Sequence, residues 1–297
     1  LDMELPVEEG FRNVIGRSIG YMKDQINGSE DIHHSIHECR RTCKRIRAAL
    51  KMIRDEIGYS NYFRENRFYR DLSRRMSGPR DDFVLLQSVD DLELKNPGVF
   101  GKETLTPLKE QLLERIEQRT AEFTVESGGF GRVLKDLEFA EERIIHYCRL
   151  RNNFAAMKSG IRRVYRKGYR FSTKTGIRES MEGFHEYRKQ TKYLLYQMEL
   201  ISPVFPNVLN AYTGSLDKHA DFLGDTRDLD RLELFLEKLP EGLVRPQSME
   251  KLMELIRLKR RKKLKKIHRK SPLVFAEKPK QFVKRLESYW EITHQNN

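Results

Sequence analysis

The 297-residue sequence has few of the features that mark secreted, membrane or β-sheet proteins. It holds three cysteines, an odd number without a Cys-x-x-Cys pair, which indicates small buried side chains in a reducing, cytoplasmic protein. No apolar run approaches the roughly 18 residues that a membrane span needs, and no signal-peptide pattern opens the sequence. Alternation of apolar and polar residues, which marks half-buried strands, is nearly absent. We therefore expect a helical protein that does not associate with a membrane.

The sequence also lacks a recognisable catalytic set, with no Gly-rich phosphate loop, no Ser-His-Asp order and no Cys-His pairing. His33 and His37 have the i, i+4 spacing of metal ligands, but no Asp, Glu or Cys joins them on that helix face. Arg80-Asp81-Asp82 and Arg227-Asp228-Leu229-Asp230 could offer carboxylates to Mg²⁺, although Asp residues that open and cap helices explain them better. We therefore expect no enzyme activity, no cofactor and no metal.

Positive charge is what the sequence has in excess. Lys and Arg number 57 against 44 Asp and Glu, so the formal net charge is +13, and 34% of the residues are charged. This balance favours an anionic partner such as nucleic acid, polyphosphate or an acidic membrane surface. Because the two signs are mixed along most of the chain, solvated helix surfaces explain many of these charges.

Helical periodicity runs through the whole sequence. Apolar residues recur at i, i+3 or i+4, and i+7 in twelve segments, and Gly or Pro separates most of them. The pattern predicts an all-α protein of about twelve helices joined by short loops.

Two nine-residue segments, 36–44 and 184–192, are nearly the same. Each reads apolar-His-Glu-x-Arg-basic-x-x-Lys, and the second follows the first by 148 residues. The duplication extends further, because Gly20-Tyr21 returns as Gly168-Tyr169 and the Arg-Asp pair recurs at an offset of 147. These repeats predict two helical bundles of the four-helix type, related by an internal pseudo-two-fold duplication. The first half would comprise residues 1–155 and the second residues 156–297.

Each repeated segment separates a basic face from an apolar face when it is drawn as a helix of about 100° per residue. The apolar positions are Cys39, Cys43, Ile46, Leu50 and Ile53 in the first copy and Phe184, Tyr187, Leu194 and Ile201 in the second. The candidate anion-binding residues on the opposite faces are His37, Arg40, Arg41, Lys44, Arg47 and Lys51, and then His185, Arg188, Lys189 and Lys192. Such rows complement phosphate oxygens, because Arg offers a bidentate fork and Lys a point charge. The alternative is a face in salt bridges with neighbouring acids, but residues 37–51 include only one acid, Glu38.

Two further basic helices extend the candidate surface. Arg162 and Arg166 belong to the one that precedes the second copy. The run 257–270, which includes Arg260 and Lys263, has ten Lys or Arg among fourteen residues and no acid. Its apolar positions still mark a core-facing side, so we expect an amphipathic helix; nuclear-localisation and nucleic-acid sequences fit the same run as a pattern.

The two histidines of the repeat, His37 and His185, stand in line with the cations. Each could donate a hydrogen bond to a phosphate oxygen. Each could equally be a structural histidine that bonds across the bundle, and the sequence does not separate the two interpretations.

The doubled apolar-His-x-x-Arg-basic-x-x-Lys helix, each copy followed about 40 residues later by Arg-Asp, resembles the CHAD family (conserved histidine α-helical domain). Residues 160–166 (Gly-Ile-Arg-Arg-Val-Tyr-Arg) and Glu277-Lys278-Pro279 are also similar to the family. The resemblance implies two four-helix bundles around a basic central groove that binds inorganic polyphosphate, and with it an association with polyphosphate granules. Members are often fused to a triphosphate-tunnel domain, whose Glu-x-Glu-x-Lys motif is absent here, so the resemblance implies no phosphatase activity.

We therefore expect a non-enzymatic polyphosphate-binding module, and two alternatives stay open. An RNA or DNA binder would need aromatic side chains among the cations for base stacking. The first copy has none, and the candidates elsewhere are Tyr165, Tyr169, Tyr193 and Tyr196. A metal-dependent polyphosphate hydrolase would need clustered carboxylates that face the basic groove.

Overall fold

The computed structural model describes residues 1–100, 104–126, 128–144, 150–173 and 181–295. The all-α prediction is confirmed, because these residues form helices and loops and include no strand. None of the described helices is both long and apolar enough to cross a bilayer. The helices are α1 (Val7–Gly28), α2 (Ile32–Met52), α3 (Arg54–Ile57), α4 (Tyr59–Arg75), α5 (Gly78–Leu94), α6 (Thr106–Ala121), α7 (Gly129–Ile144), α8 (Ala155–Thr173), α9 (Met181–Ile201), α10 (Pro206–Leu236), α11 (Pro246–Val274) and α12 (Pro279–Gln295).

The first repeated segment lies in α2, which begins where Asp31 caps it. The Asp31 carboxylate accepts hydrogen bonds from the backbone N–H groups of His33 (2.8 Å) and His34 (3.2 Å). It thereby pairs N–H groups that the first turn of a helix leaves free. The predicted apolar face is confirmed, since its five residues are at most 1% exposed. The opposite, basic face is left to line a cavity.

The second repeated segment lies in α9 and is divided in the same way. Its four predicted apolar residues are 8% exposed or less. Tyr193 and Tyr196 are also buried, so α9 is apolar around more of its circumference than α2. This difference narrows the basic face of the second copy.

Helix α8 crosses the end of α2 at very short range, and Gly160 permits this contact. A Cβ atom at Gly160 would lie 2.2 Å from the carbonyl oxygen of Met52 and 2.4 Å from that of Lys51. No side chain can occupy that space without separating the helices. The crossing fixes α8 beside the carboxyl end of the first basic face.

The buried apolar side chains form two clusters. The larger extends from Val7 in α1 to Trp290 in α12, and the smaller joins α5 and α6 to the end of α10 and the first half of α11. Both clusters contain residues from either side of residue 155. The division at 155/156 stays a prediction, and the parts of the chain on its two sides share their cores. Buried Cys39 and Cys43 are free thiols, and Cys148 lies outside the described residues.

The expected role of the two Arg-Asp segments in opening helices is wrong in one case and partly right in the other. Arg227-Asp228 lies inside α10, which continues from Pro206 to Leu236. Leu216 and Leu223 pack in the larger apolar cluster before this segment, and Leu229 and Leu232 pack in the smaller one after it, so the helix is buried on both sides of Gly224. Arg80-Asp81 does lie in the first turn of α5, where an acid complements the helix dipole, but no side chain caps that helix. Capping therefore does not explain why the pair is repeated.

Candidate functional site

Helices α2 and α9, which carry the two repeated segments, pack directly against each other. The Gln197 side chain donates a hydrogen bond to the carbonyl oxygen of Ala48 (3.2 Å) inside the contact. At the edge, Arg45 forms an ion pair with Glu199 (3.4 Å). The contact brings the two basic faces to one place although they are far apart in sequence.

A cavity of about 460 Å³, the central groove, lies between α2, α5, α9 and α10. Nine Arg and Lys side chains and six carboxylates line it. Six of the predicted residues are among its lining: His37, Arg40, Arg41, Lys44, Arg188 and Lys192. The groove therefore contains part of the basic faces that the sequence indicated on α2 and α9, together with Arg45 of α2, which was not predicted.

Three groove residues come from the Arg-Asp segments and were not predicted as ligands: Arg80, Arg227 and Arg231. Arg80 is on α5 and the other two are one turn apart on α10. Burial lowers the pKa of both Arg80 and Arg227. The recurrence of Arg-Asp at almost the offset of the histidine segments is the signal that could have placed these arginines in the site.

Lys44 lies among four other cations of the groove. It makes no hydrogen bond or ion pair with another described residue. Burial is the main cause that lowers its pKa to about 7. Four neighbouring cations lower it further: Arg40, Arg188, Arg227 and Lys192. An anion between these side chains would restore the charged lysine.

Arg188 faces Lys44 from α9 and is also without a partner among the described residues. Its Nε atom is buried and forms no hydrogen bond. Gly224 of α10 leaves space for the guanidinium, because a Cβ there would lie 3.4 Å from Nη2. Arg80, which lies over the Phe83 ring at 5.2 Å, forms no ion pair with a described residue either. These three cations leave the middle of the groove positive.

Carboxylates occupy mainly the α10 side of the groove. Asp217 and Asp221 pair with Lys192 at 3.2 and 3.8 Å. Asp81 of α5 pairs with Arg231 at 3.0 Å and with Arg40 at 3.7 Å. The paired cations are held in place by these acids, whereas the unpaired ones remain available to a ligand.

Three more predicted residues of α2 and α9, namely Arg47, Lys51 and Lys189, do not line the groove and lie near Lys167 of α8. Lys51 donates a hydrogen bond to the Tyr62 hydroxyl (2.9 Å) and lies 4.9 Å from the centre of the Tyr193 ring. Burial, with Arg47, Lys167 and Lys189 nearby, lowers the pKa of Lys51 to about 8. These four cations extend the positive surface, and Lys167 is a member that was not predicted.

The predicted residues of α8 and α11 do not line the central groove. Arg162 and Arg166 are exposed on α8 and form no ion pair with a described residue. Arg260 pairs with Asp230, and Lys263 pairs with Asp225. Lys263 lines a second cavity of about 520 Å³, which shares Asp225 and Asp228 with the central groove. The basic run of α11 therefore lies next to the acidic residues of α10, on the side of α10 that faces away from the central groove.

The two histidines of the repeat lie beside groove cations, and the pKa of each imidazole is lowered from its ordinary value. Burial is the first cause that lowers the pKa of each, followed by Arg80 for His37 and by Arg227 for His185. Neither forms a short hydrogen bond with a described residue; His37 Nε2 is 3.8 Å from a Glu38 carboxylate oxygen. Among the described residues no three His, Cys, Asp or Glu side chains are placed to hold a metal ion.

Comparison with known proteins gives one family and one fold. The model of the CHAD domain matches residues 19–237. A solved structure, PptA from Streptomyces chartreusis, aligns with a TM-score of 0.66 and 11% sequence identity, covering 92% of this chain and 100% of that one. Such low identity establishes similarity of fold alone. A search of curated proteins finds no match.

Proposed function

The chain belongs to the CHAD domain family, and from this premise we propose that it binds inorganic polyphosphate in the central groove without catalysing a reaction. The observation that carries the proposal is the group of unpaired cations, Lys44, Arg188 and Arg80, brought together from three helices. Confining like charges is unfavourable unless an anion neutralises them. Phosphate oxygens at close, regular spacing meet that requirement along the groove.

The aromatic side chains near the groove favour polyphosphate over single-stranded RNA. Tyr196 lines the groove but is 6% exposed, and Tyr193 at its end is 3% exposed. Arg45 and Lys51 already cover the two rings. A base needs an accessible ring face on which to stack. We therefore propose that the groove recognises phosphates and not bases.

The duplication gives this site its form in our proposal. The two histidine segments would be equivalent elements of two four-helix-type bundles that share one groove, which the direct packing of α2 against α9 supports.

Burial raises the pKa of the thiols of Cys39 and Cys43 to about 12, which suits a cytoplasmic protein with unreactive, reduced cysteines. An association with polyphosphate granules would follow from the same binding activity.

The first test removes two unpaired cations. Lys44→Ala with Arg188→Ala should weaken polyphosphate binding at least tenfold, since a hydrogen bond to a charged group contributes roughly 1.5–3 kcal/mol. Arg162→Ala with Arg166→Ala is the matched control, because it removes the same charge from an exposed face of α8. The control should change affinity less than about threefold, since neither arginine lines the groove and salt screens exposed charges. Equal losses in calorimetric titrations of both variants would contradict the groove assignment.

Two further measurements separate the alternatives. Polyphosphate and single-stranded RNA of equal charge should be titrated at two salt concentrations, and polyphosphate should bind more tightly at both. Tighter RNA binding at the higher concentration would replace our proposal with a nucleic-acid function. Incubation with Mg²⁺ and polyphosphate should release no phosphate above a protein-free control; release would favour the metal-dependent hydrolase.

A further inference from the structure

A third cavity, the lateral cavity, has a volume of about 610 Å³ and lies on the other side of an ion pair from the central groove. The ends of α4 and α10, the beginning of α5 and one face of α6 surround it. The pair between Asp81 and Arg231 (3.0 Å) belongs to the walls of both cavities and separates them. The volume of the lateral cavity is in the range of small-molecule binding sites.

One wall of the lateral cavity concentrates cations at the start of α5. Arg115 and Arg119 of α6 approach the buried Asp82 carboxylate at 3.2 and 3.7 Å, so one acid orients two guanidinium groups. Arg119 also packs against Gly78, where a Cβ would lie 3.3 Å from its Cδ. The first N–H groups of α5 add positive potential there. The combination resembles the environment that proteins provide for a phosphate group.

Six Arg or Lys side chains line the cavity against three carboxylates. Two of the six pair with acids outside the lining, Arg74 with Asp71 of α4 and Arg75 with Asp136 of α7. Arg231 pairs with Asp81. Lys238, at the mouth, has no partner among the described residues. An anion bound near Arg119 would therefore meet cations from α6 and from the segment that follows α10.

The apolar wall of the lateral cavity consists of Leu85 of α5, Phe123 after α6, and Leu234 and Phe235 of α10. The Arg115 guanidinium lies 5.1 Å from the centre of the Phe235 ring, so the cations and the apolar wall adjoin each other. Leu234 is 42% exposed although it is a large apolar side chain. A bare polyphosphate chain has no group that would gain from contact with this wall. A ligand with an apolar part would cover Leu234 and remove it from water.

We propose that the lateral cavity is a second binding site, for a small organic phosphate. The ligand class is a phosphate monoester that carries one aromatic or aliphatic group. The phosphate would lie between Arg115 and Arg119 at the start of α5, because these two positive charges share the single Asp82 carboxylate. The apolar group would lie against Leu234 and Phe123. This site is independent of polyphosphate binding in the central groove.

Phenyl phosphate is a suitable probe, titrated into the full chain and compared with inorganic phosphate and phenol. Phenyl phosphate should bind at least tenfold more tightly than either fragment. Arg119→Gln and Leu234→Ser, both at partly exposed positions, should each weaken its binding at least fivefold, whereas the exposed control Arg162→Gln should not. Thermal unfolding of each variant checks that it is folded.

Three results would overturn the second site. Inorganic phosphate that binds as tightly as phenyl phosphate would show that the apolar wall contributes nothing. No saturable binding of phenyl phosphate at millimolar concentration would remove the site altogether. Loss of phenyl phosphate binding in the Lys44→Ala, Arg188→Ala variant would assign the probe to the central groove. Failure of that variant to lose polyphosphate binding would instead contradict the proposed function and leave the lateral site standing.

Discussion

At the scale of single residues, Lys44 couples the groove to pH. Its pKa of about 7 means that a large fraction of the free protein holds this lysine neutral at physiological pH. A phosphate beside the ammonium group favours the charged form and raises the pKa. Binding therefore takes up a proton where the pH lies between the pKa of Lys44 in the free protein and its higher pKa in the complex.

Polyphosphate affinity should accordingly be full below about pH 7 and fall as the pH rises, since Lys44 titrates near 7 and Lys51 near 8. Calorimetry in two buffers of different ionisation enthalpy, at pH 6.5 and 8.5, measures the proton uptake directly. Lys44→Arg keeps the charge at all these pH values. Lys44→Arg should reduce both the proton uptake on binding and the loss of polyphosphate affinity at high pH. An unchanged pH profile in this variant would show that other groups titrate on binding.

At the scale of helices, periodicity was sufficient to predict α2 and α9 and to assign their buried faces. It could not predict that α10 continues through Gly224, because a glycine followed by a charged segment also fits a helix end. The placement of Arg80, Arg227 and Arg231 in the groove depends on which helices surround it. That information lies in contacts between segments distant in sequence, and the spacing within one helix does not contain it.

The crossing of α8 over α2 gives a prediction at the same scale. Gly160→Ala places a methyl group against two backbone carbonyls, and overpacking of this kind typically costs ~1–3 kcal/mol or more. Gly20→Ala in α1 is the matched control, because nothing lies within 4 Å of its added Cβ. Replacing a mid-helix glycine by alanine should stabilise by roughly 0.5–1 kcal/mol. Urea unfolding of the two variants should therefore give changes of opposite sign.

The two glycines of the repeated Gly-Tyr pair also show how the copies have diverged. Gly168 lies against the Phe275 ring, where an added Cβ would come within 2.3 Å. Its counterpart Gly20 faces open space. A repeated sequence therefore does not guarantee repeated packing. The two copies also differ in the number of cations that they supply to the groove.

At the scale of the whole molecule, the net charge of +13 overstates what a ligand meets. The groove combines nine cations with six carboxylates, and much of the basic run in α11 lies behind the acidic side of α10. Composition alone predicts that the partner is an anion, whereas the number of unpaired cations follows from tertiary pairing. The positive middle of the groove rests on few side chains.

The dependence of polyphosphate affinity on salt concentration measures the number of cations that contact the ligand. Each phosphate that a cation neutralises releases counterions, so the logarithm of affinity falls linearly with the logarithm of salt concentration. If only the unpaired cations and the edge around Lys51 contact phosphate, the slope should be on the order of three to five. Titrations between 50 and 300 mM salt give it directly, and Lys44→Ala with Arg188→Ala should lower it by about two. A slope near the full number of groove cations would mean that the carboxylates leave their partners when polyphosphate binds. In that case Asp81→Asn should strengthen binding, because Arg231 and Arg40 would no longer have to exchange an acid for the ligand.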